Sequence, residues 1–500
     1  MRNYRSAAVV AASFLLMAGA AIAAPSAYAG TPGGTKANDR NTDFNGDGYE
    51  DVLIGAPAGT VGGKWAAGYV TVQYGAPSGI GTSRSAVFSQ NTDGVRGAAE
   101  QGDGFGRALA TGDLDGDGYD DAIVGVPGED VEPAGDAGGA VVLWGSPKGL
   151  SGTDSDWLQA DEPTAYAEFG GALAAAHFSP DISGDQLAVT DRSDLTVFQY
   201  DAALLKKGTA PLAAAEHKDD IPAEPGHEIA PKSLTTGDYD GNGLADLVVS
   251  GVTTGTASGK GWSAYFSGQV QGLTFERSLR GGPSVASGDV NNDGYDDLVT
   301  ADPSRPDSDG GGPGDGGVVG VYYGSAGDGP VVGAEGPGTP PVWWTQDSAG
   351  IPGTSERGDG WGTDLSVADT NGDGYADVAI GAPGEDVGTV LDAGAVWVLR
   401  GATDGLTAAG AASWDQDSAN VPGVPERGDG WGGQVRLTDP DKDGRFGLLA
   451  AAPGEDQNNG VVWVLPAGAG GVTASGSWTF DGGSLGGPAT GAGLGAAIDE

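Results

Sequence analysis

Short apolar runs recur along this chain, each entered from an acidic loop and most of them closed by glycine or proline. They read DVLIGAP from Asp51, DAIVGVP from Asp121, DLVVSGV from Asp246, DLVTADP from Asp297, DVAIGAP from Asp377 and, more weakly, GLLAAAP from Gly447. Runs this short, rich in Val and Ile and bounded by turn residues, predict buried strands rather than helices. A shorter strand opening on an aromatic residue and glycine precedes each loop: FGRALATGD at Phe105, FGGALAAAH at Phe169, WGTDLSVAD at Trp361 and WGGQVRLTD at Trp431. A third strand ending in a tight turn follows, as in AGYVTVQYGAPSGI, GGAVVLWGSPKGL and AGAVWVLRGATDGL. Aromatic-x-Gln segments at Phe88, Trp157, Trp344 and Trp414 predict a fourth, outer strand.

Four strands per unit is the composition of a propeller blade. The loops begin at Asp43, Asp113, His177, Asp238, Asp289, Asp369 and Asp439, which makes seven units. Their separations of 51 to 80 residues are too variable for a tightly stacked solenoid. The fold class is therefore all-β, a seven-bladed β-propeller spanning 43–500. Only TKANDRNT stands ahead of the first loop, where later units carry an opening strand, and LGAAIDE at Leu494 to Glu500 matches the start of FGRALATGD. The C-terminal strand is thus expected to pair with the first blade and close the ring, leaving no open edge there.

Composition agrees, with 95 Gly, 29 Pro and 38% apolar residues describing strands and turns. A formal net charge of −45 would repel nucleic-acid phosphates and anionic lipid, so neither is expected as a partner. Residues 1–29, with Arg2, Arg5, an apolar stretch and Ala27-Tyr28-Ala29, read as a secretory signal; 30–42 form a lead-in. A secreted, extracellular monomer with no membrane span after signal cleavage is expected. The absence of cysteine excludes a disulfide framework, so stability must come from elsewhere.

The acidic loops supply a candidate source. Oxygen-bearing side chains stand at positions 1, 3, 5 and 9, with Gly at position 6. The sets are Asp43, Asn45, Asp47 and Asp51; Asp113, Asp115, Asp117 and Asp121; Asp238, Asp240, Asn242 and Asp246; Asp289, Asn291, Asp293 and Asp297; and Asp369, Asn371, Asp373 and Asp377. Backbone carbonyls are expected at position 7, from Tyr49, Tyr119, Leu244, Tyr295 and Tyr375. Hard oxygen donors at alternating positions suit Ca²⁺, and thiolate or imidazole metals lack their ligands. An EF-hand is excluded because position 12 holds Ile54, Val124, Val249, Thr300 and Ile380 within strands. About five sites are expected. The third loop, with His177 and Ser179 in acid positions, reads as lost, and the seventh keeps Asp439, Asp441 and Asp443 but has Gly447 at position 9, a doubtful sixth site.

Phe105-Gly106, the loop at Asp113 and GVP at Gly125, together with GAP at Gly55 and Gly381, resemble the FG-GAP repeat of integrin α subunits, of a glycosylphosphatidylinositol-specific phospholipase D and of many secreted bacterial proteins. The resemblance implies a seven-bladed propeller with structural calcium and with ligands met on the opposite face. The resulting expectation is a binding or adhesion module for an extracellular protein or glycan. The alternative is a polysaccharide-acting hydrolase or lyase, or a lectin, on the same propeller. No catalytic constellation stands out: GGSLG at Gly482 has no histidine after it, and His217 and His227 sit in EHKDDIPAEPGHEIAP, read as an irregular solvated segment where zinc is conceivable. Arg-Gly-Asp at Arg357 and Arg427 lies inside ERGDGWG and reads as a turn of the repeat.

Overall fold

The computed structural model describes residues 42–153, 155–205, 210–223, 227–254, 260–304, 316–331, 341 and 343–499. The proposed signal, the lead-in up to residue 41 and Glu500 lie outside the described residues. Seven four-stranded antiparallel sheets succeed one another along the chain. Blade 1 pairs Val52–Ala56, Tyr69–Gln73 and Ser85–Phe88. Its innermost position is filled by Ala497–Ile498, which pairs antiparallel with Val52–Ala56 through Ile54 and Ile498. In blades 2 to 7 the innermost strands are Leu109–Gly112, Ala172–Ala176, Ile229–Gly237, Ser284–Gly288, Leu365–Ala368 and Gln434–Thr438. These line a central cavity of about 480 Å³.

The apolar runs are unbroken because a blade is covered on both faces. Val52, Ile54 and Ala56 join a cluster with Leu449, Val462 and Phe480 of blade 7, while Leu53 points the other way into a cluster with Phe105 and Val124 of blade 2. Alternate residues of one strand thus fill two junctions. One such cluster spans each of the seven junctions. The fully buried Trp361, Trp431 and Trp463 belong to these clusters, so the repeated tryptophans are packing residues.

Two glycines of the repeat are required by close approach across a junction. A Cβ on Gly55 would stand 2.1 Å from the carbonyl oxygen of Gly106, and Gly106 itself has φ +89. The same contact recurs between Gly381 and Gly432, at 2.0 Å. No side chain fits there.

One expectation needs correction. His217 lies not in an irregular segment but within the outer strand of blade 3, Leu212–Lys218. An outer strand has one neighbour and much solvent, so its polar EHK stretch carries no apolar signature for the sequence to show.

Candidate cation-binding loops

In blades 2 to 7 the loop joins the innermost strand to the second, and in blade 1, whose innermost strand comes from the C-terminus, it leads straight into the second, so all seven gather on one face. In the five complete loops the backbone folds onto its own acids in the same way. In blade 2, Asp117 N–H donates to Asp113 Oδ1 (3.0 Å) and Asp115 Oδ1 (3.1 Å), Gly118 N–H to Asp113 Oδ2 (3.0 Å), and Tyr119 N–H to Asp117 Oδ1 (3.1 Å). Asp121 accepts from Leu114 N–H (3.0 Å) and from Gly145 N–H at the end of the third strand (2.8 Å). All six bonds recur at Asp43, Asn45, Asp47 and Asp51. They recur again around Asp238 to Asp246, around Asp289 to Asp297 and around Asp369 to Asp377. The short Asp and Asn side chains make these turns because their oxygens reach an N–H two to five residues on. Blade 7 keeps four of the six, at Asp439, Asp441 and Asp443, and lacks those that need an acid at Gly447. Around His177 the pattern is absent, and the imidazole Nδ1 lies 3.2 Å from the Gly184 carbonyl oxygen.

In blades 2, 4 and 7 the loop brings three acids close enough to share one ion. Oxygens of Asp113, Asp115 and Asp121 lie within 4.8 Å of one another, as do those of Asp238, Asp240 and Asp246, and of Asp439, Asp441 and Asp443. Two oxygens bound to one Ca²⁺ at its usual distances are separated by at most about 5 Å, so the donor sets fit such an ion. Uncompensated, the arrangement is costly. Burial, followed by repulsion from neighbouring acids, pushes the carboxyls of Asp51, Asp246 and Asp297 up to about 8 and that of Asp115 to about 6. Asp121 is raised well above the usual range, again chiefly by burial.

The five loops are not equal. In blade 6 the Arg400 guanidinium sits 2.6 Å from Asp377 Oδ2, so position 9 is already ion-paired within the chain. The corresponding residues Tyr74, Trp144, Ser267 and Tyr323 carry no positive charge.

Position 8, which the sequence reading passed over, links the blades. Asp43 N–H donates to Asp120 Oδ2 of the next loop (2.6 Å), and Asp120 N–H returns to the Asp43 carbonyl (3.2 Å). Asp238 and Asp296 repeat this clamp at 2.9 and 3.1 Å. At the ring closure Asp439 N–H donates to Glu50 Oε2 (2.7 Å). There Arg436 also bonds Glu50 (2.7 Å) and Asp499 (2.6 Å), with all three side chains at most 3% exposed. The acid doublets Glu50-Asp51, Asp120-Asp121 and Asp296-Asp297 were the available signal.

Outside the loops, His217 Nε2 lies 3.0 Å from Asp219 Oδ1, with Asp194 nearby, on a solvent-exposed edge. The Arg-Gly-Asp tripeptides do not present their acids: Asp359 and Asp429 are 3% and 2% exposed.

Sequence comparison bears directly on these blades. Residues 41–72, 105–144 and 361–399 match the family FG-GAP repeat. The chain is an integrin-like FG-GAP propeller. It is 28% identical over 242 residues to integrin alpha pat-2 of Caenorhabditis briggsae, covering 43% of this chain and 18% of that protein. It is 39% identical over 89 residues to integrin alpha-5 of Xenopus laevis, covering 18% and 8%. The FG-GAP propeller thus matches less than a fifth of the length of these relatives. Among solved structures it resembles Chaetomium thermophilum Sqt1 with TM-score 0.39 and 14% identity, over 72% of this chain and 68% of that one. No helix among the described residues is long and apolar enough to cross a membrane.

Proposed function

We propose that the protein is a secreted, calcium-fastened propeller that binds an extracellular protein or glycan without chemistry. The observation that carries this is the loop set: one backbone fold repeated five times, gathering carboxylates that burial and mutual repulsion disfavour, with a chain cation paired to a loop acid in blades 1 (Arg84–Asp47, 2.8 Å) and 6 (Arg400–Asp377, 2.6 Å). Ca²⁺ held by positions 1, 3, 5 and 9 would supply the missing positive charge and lock each loop to the end of its third strand.

Fixing one face leaves the other for recognition. The connections between second and third strands, and those between blades, gather opposite the acidic loops. Trp65 and Tyr166 (each 63% exposed), Leu391 and Val424 stand there in solvent. Exposed aromatic side chains are the kind enriched at recognition surfaces. The relatives are integrin α chains, and adhesion comes to this chain from them as part of the proposal.

The test is to apply the chain from Gly30 onward to arrayed glycans, cell-wall polymers and matrix proteins, with calcium and with chelator. Calcium-dependent retention of one ligand class, weakened by Trp65→Ala and Tyr166→Ala, is the expected result. Shortening of an arrayed polymer would replace the binding reading with an enzymatic one.

A further inference from the structure

Three blade junctions carry an identical set of side chains on the face opposite the acidic loops. Gln90, Asp103 and Glu129 meet between blades 1 and 2; Gln346, Asp359 and Glu385 between blades 5 and 6; Gln416, Asp429 and Glu455 between blades 6 and 7. In each, the glutamine Nε2 donates to the glutamate Oε2, at 2.7, 2.7 and 2.8 Å. The aspartate Oδ2 accepts a backbone N–H from Glu100, Glu356 or Glu426, at 2.5, 2.6 and 2.6 Å. One oxygen of each carboxylate is therefore committed to a donor, and at junctions 5/6 and 6/7 the two carboxyls also stand within hydrogen-bonding reach of each other.

The glutamines supply an independent sign of a ligand. They are 4%, 1% and 2% exposed, and the Oε1 atom of all three is buried with no hydrogen-bond partner. A buried amide oxygen is ordinarily satisfied, so the same orphan at three equivalent places requires an explanation. Its head is fixed beside the glutamate by the Nε2 bond, so the orphaned oxygen belongs to the same amide that touches the carboxylate. Burial, then the adjacent acids, pushes Glu129, Glu385 and Glu455 up to about 7, which marks a shortage of positive charge at the same place.

The glutamines and aspartates are buried and the glutamates half-buried, an enclosure that suits a bare ion better than a partner's bulky lysine or arginine head. The donors are all hard oxygens, which selects a calcium-type cation over zinc. Junction 2/3 lacks the arrangement: Gln159 is exposed and its Oε1 accepts from the Trp157 indole at 2.9 Å. We propose that each of the three junctions holds a divalent cation between oxygens of its glutamine, aspartate and glutamate, in place of the proton that would otherwise lie between the two carboxyls, a second cation set separate from the loops. This assigns a role to the aromatic-x-Gln, ERGDGWG and PGED motifs together, and it does not depend on the loops being occupied.

The experiment counts bound Ca²⁺ on the full mature chain by native mass spectrometry and equilibrium dialysis. The loops offer at most six places, so more than six ions at saturation is expected. Glu129→Gln, Glu385→Gln and Glu455→Gln should each remove one ion, and the triple variant three. Asp117→Asn in the blade 2 loop should remove a different one and leave the junction ions in place. If the loops prove empty, three ions should remain and vanish with the glutamate variants. Gln346→Leu, which adds no charge change, should weaken one site at least tenfold should Glu385→Gln fail to fold. A triple variant, folded by near-ultraviolet circular dichroism, that binds as many ions as the parent would overturn the proposal in favour of a proton shared between the two carboxyls.

Discussion

Arg436 is the residue on which ring closure should depend most. It rises from the innermost strand of blade 7 and bonds Glu50 from the blade 1 loop and Asp499 from the closing strand, all at most 3% exposed. Asp499 also accepts Leu53 N–H at 2.9 Å and so fixes the closing strand to blade 1. Arg436→Met keeps much of the volume but leaves two carboxylates buried without a cation. Breaking a buried pair in this way costs about 3–5 kcal/mol. The exposed pair Arg192–Glu168, whose side chains are 61% and 45% exposed, provides an internal contrast, because screened surface pairs contribute about 0–1 kcal/mol. Urea unfolding in calcium buffer, followed by fluorescence of the buried tryptophans, reads both. Combining Arg436→Met with Glu50→Gln and Asp499→Asn removes the stranded charges and should recover at least half of the loss. An Arg436→Met protein within about 1 kcal/mol of the parent would refute the claim that this triad holds the ring shut.

Chelation should lower the melting temperature, since an ion at a hundred times its Kd stabilises by about 2.7 kcal/mol per site; an unchanged melt in chelator would remove calcium from the loops. In chelator the stability should also fall as pH rises from 5 to 9. Asp51, Asp246 and Asp297 have folded values raised to about 8 against an unfolded value near 4, so they stabilise fully below the unfolded value and lose this as pH passes 8. A flat or rising chelated melt across that window would contradict the electrostatics, and added calcium should flatten the fall. Arg400→Gln should tighten calcium binding at the blade 6 loop about tenfold, about 1.4 kcal/mol, by releasing Asp377. Titration of that variant showing no gain would mean the guanidinium does not compete.

The sequence by itself determined the elements and their number. A blade strand is covered on both faces, so its apolar run is uninterrupted, and the loop acids sit at fixed local spacings; both are short-range patterns that survive in a linear reading. The match of LGAAIDE to an opening strand was legible for the same reason. What depended on distant residues was not. Position 8 acids and Arg436 act between blades, where partners are tens to hundreds of residues apart and no spacing connects them. Arg400 looked like one more strand residue until the end of its strand placed it over Asp377. Gln90, Asp103 and Glu129 belong to three separate strand and turn segments, and only the curvature of the ring brings them together. Local chemistry writes the repeat into the chain, whereas closure, inequality among loops and the junction pockets arise from which blade stands beside which.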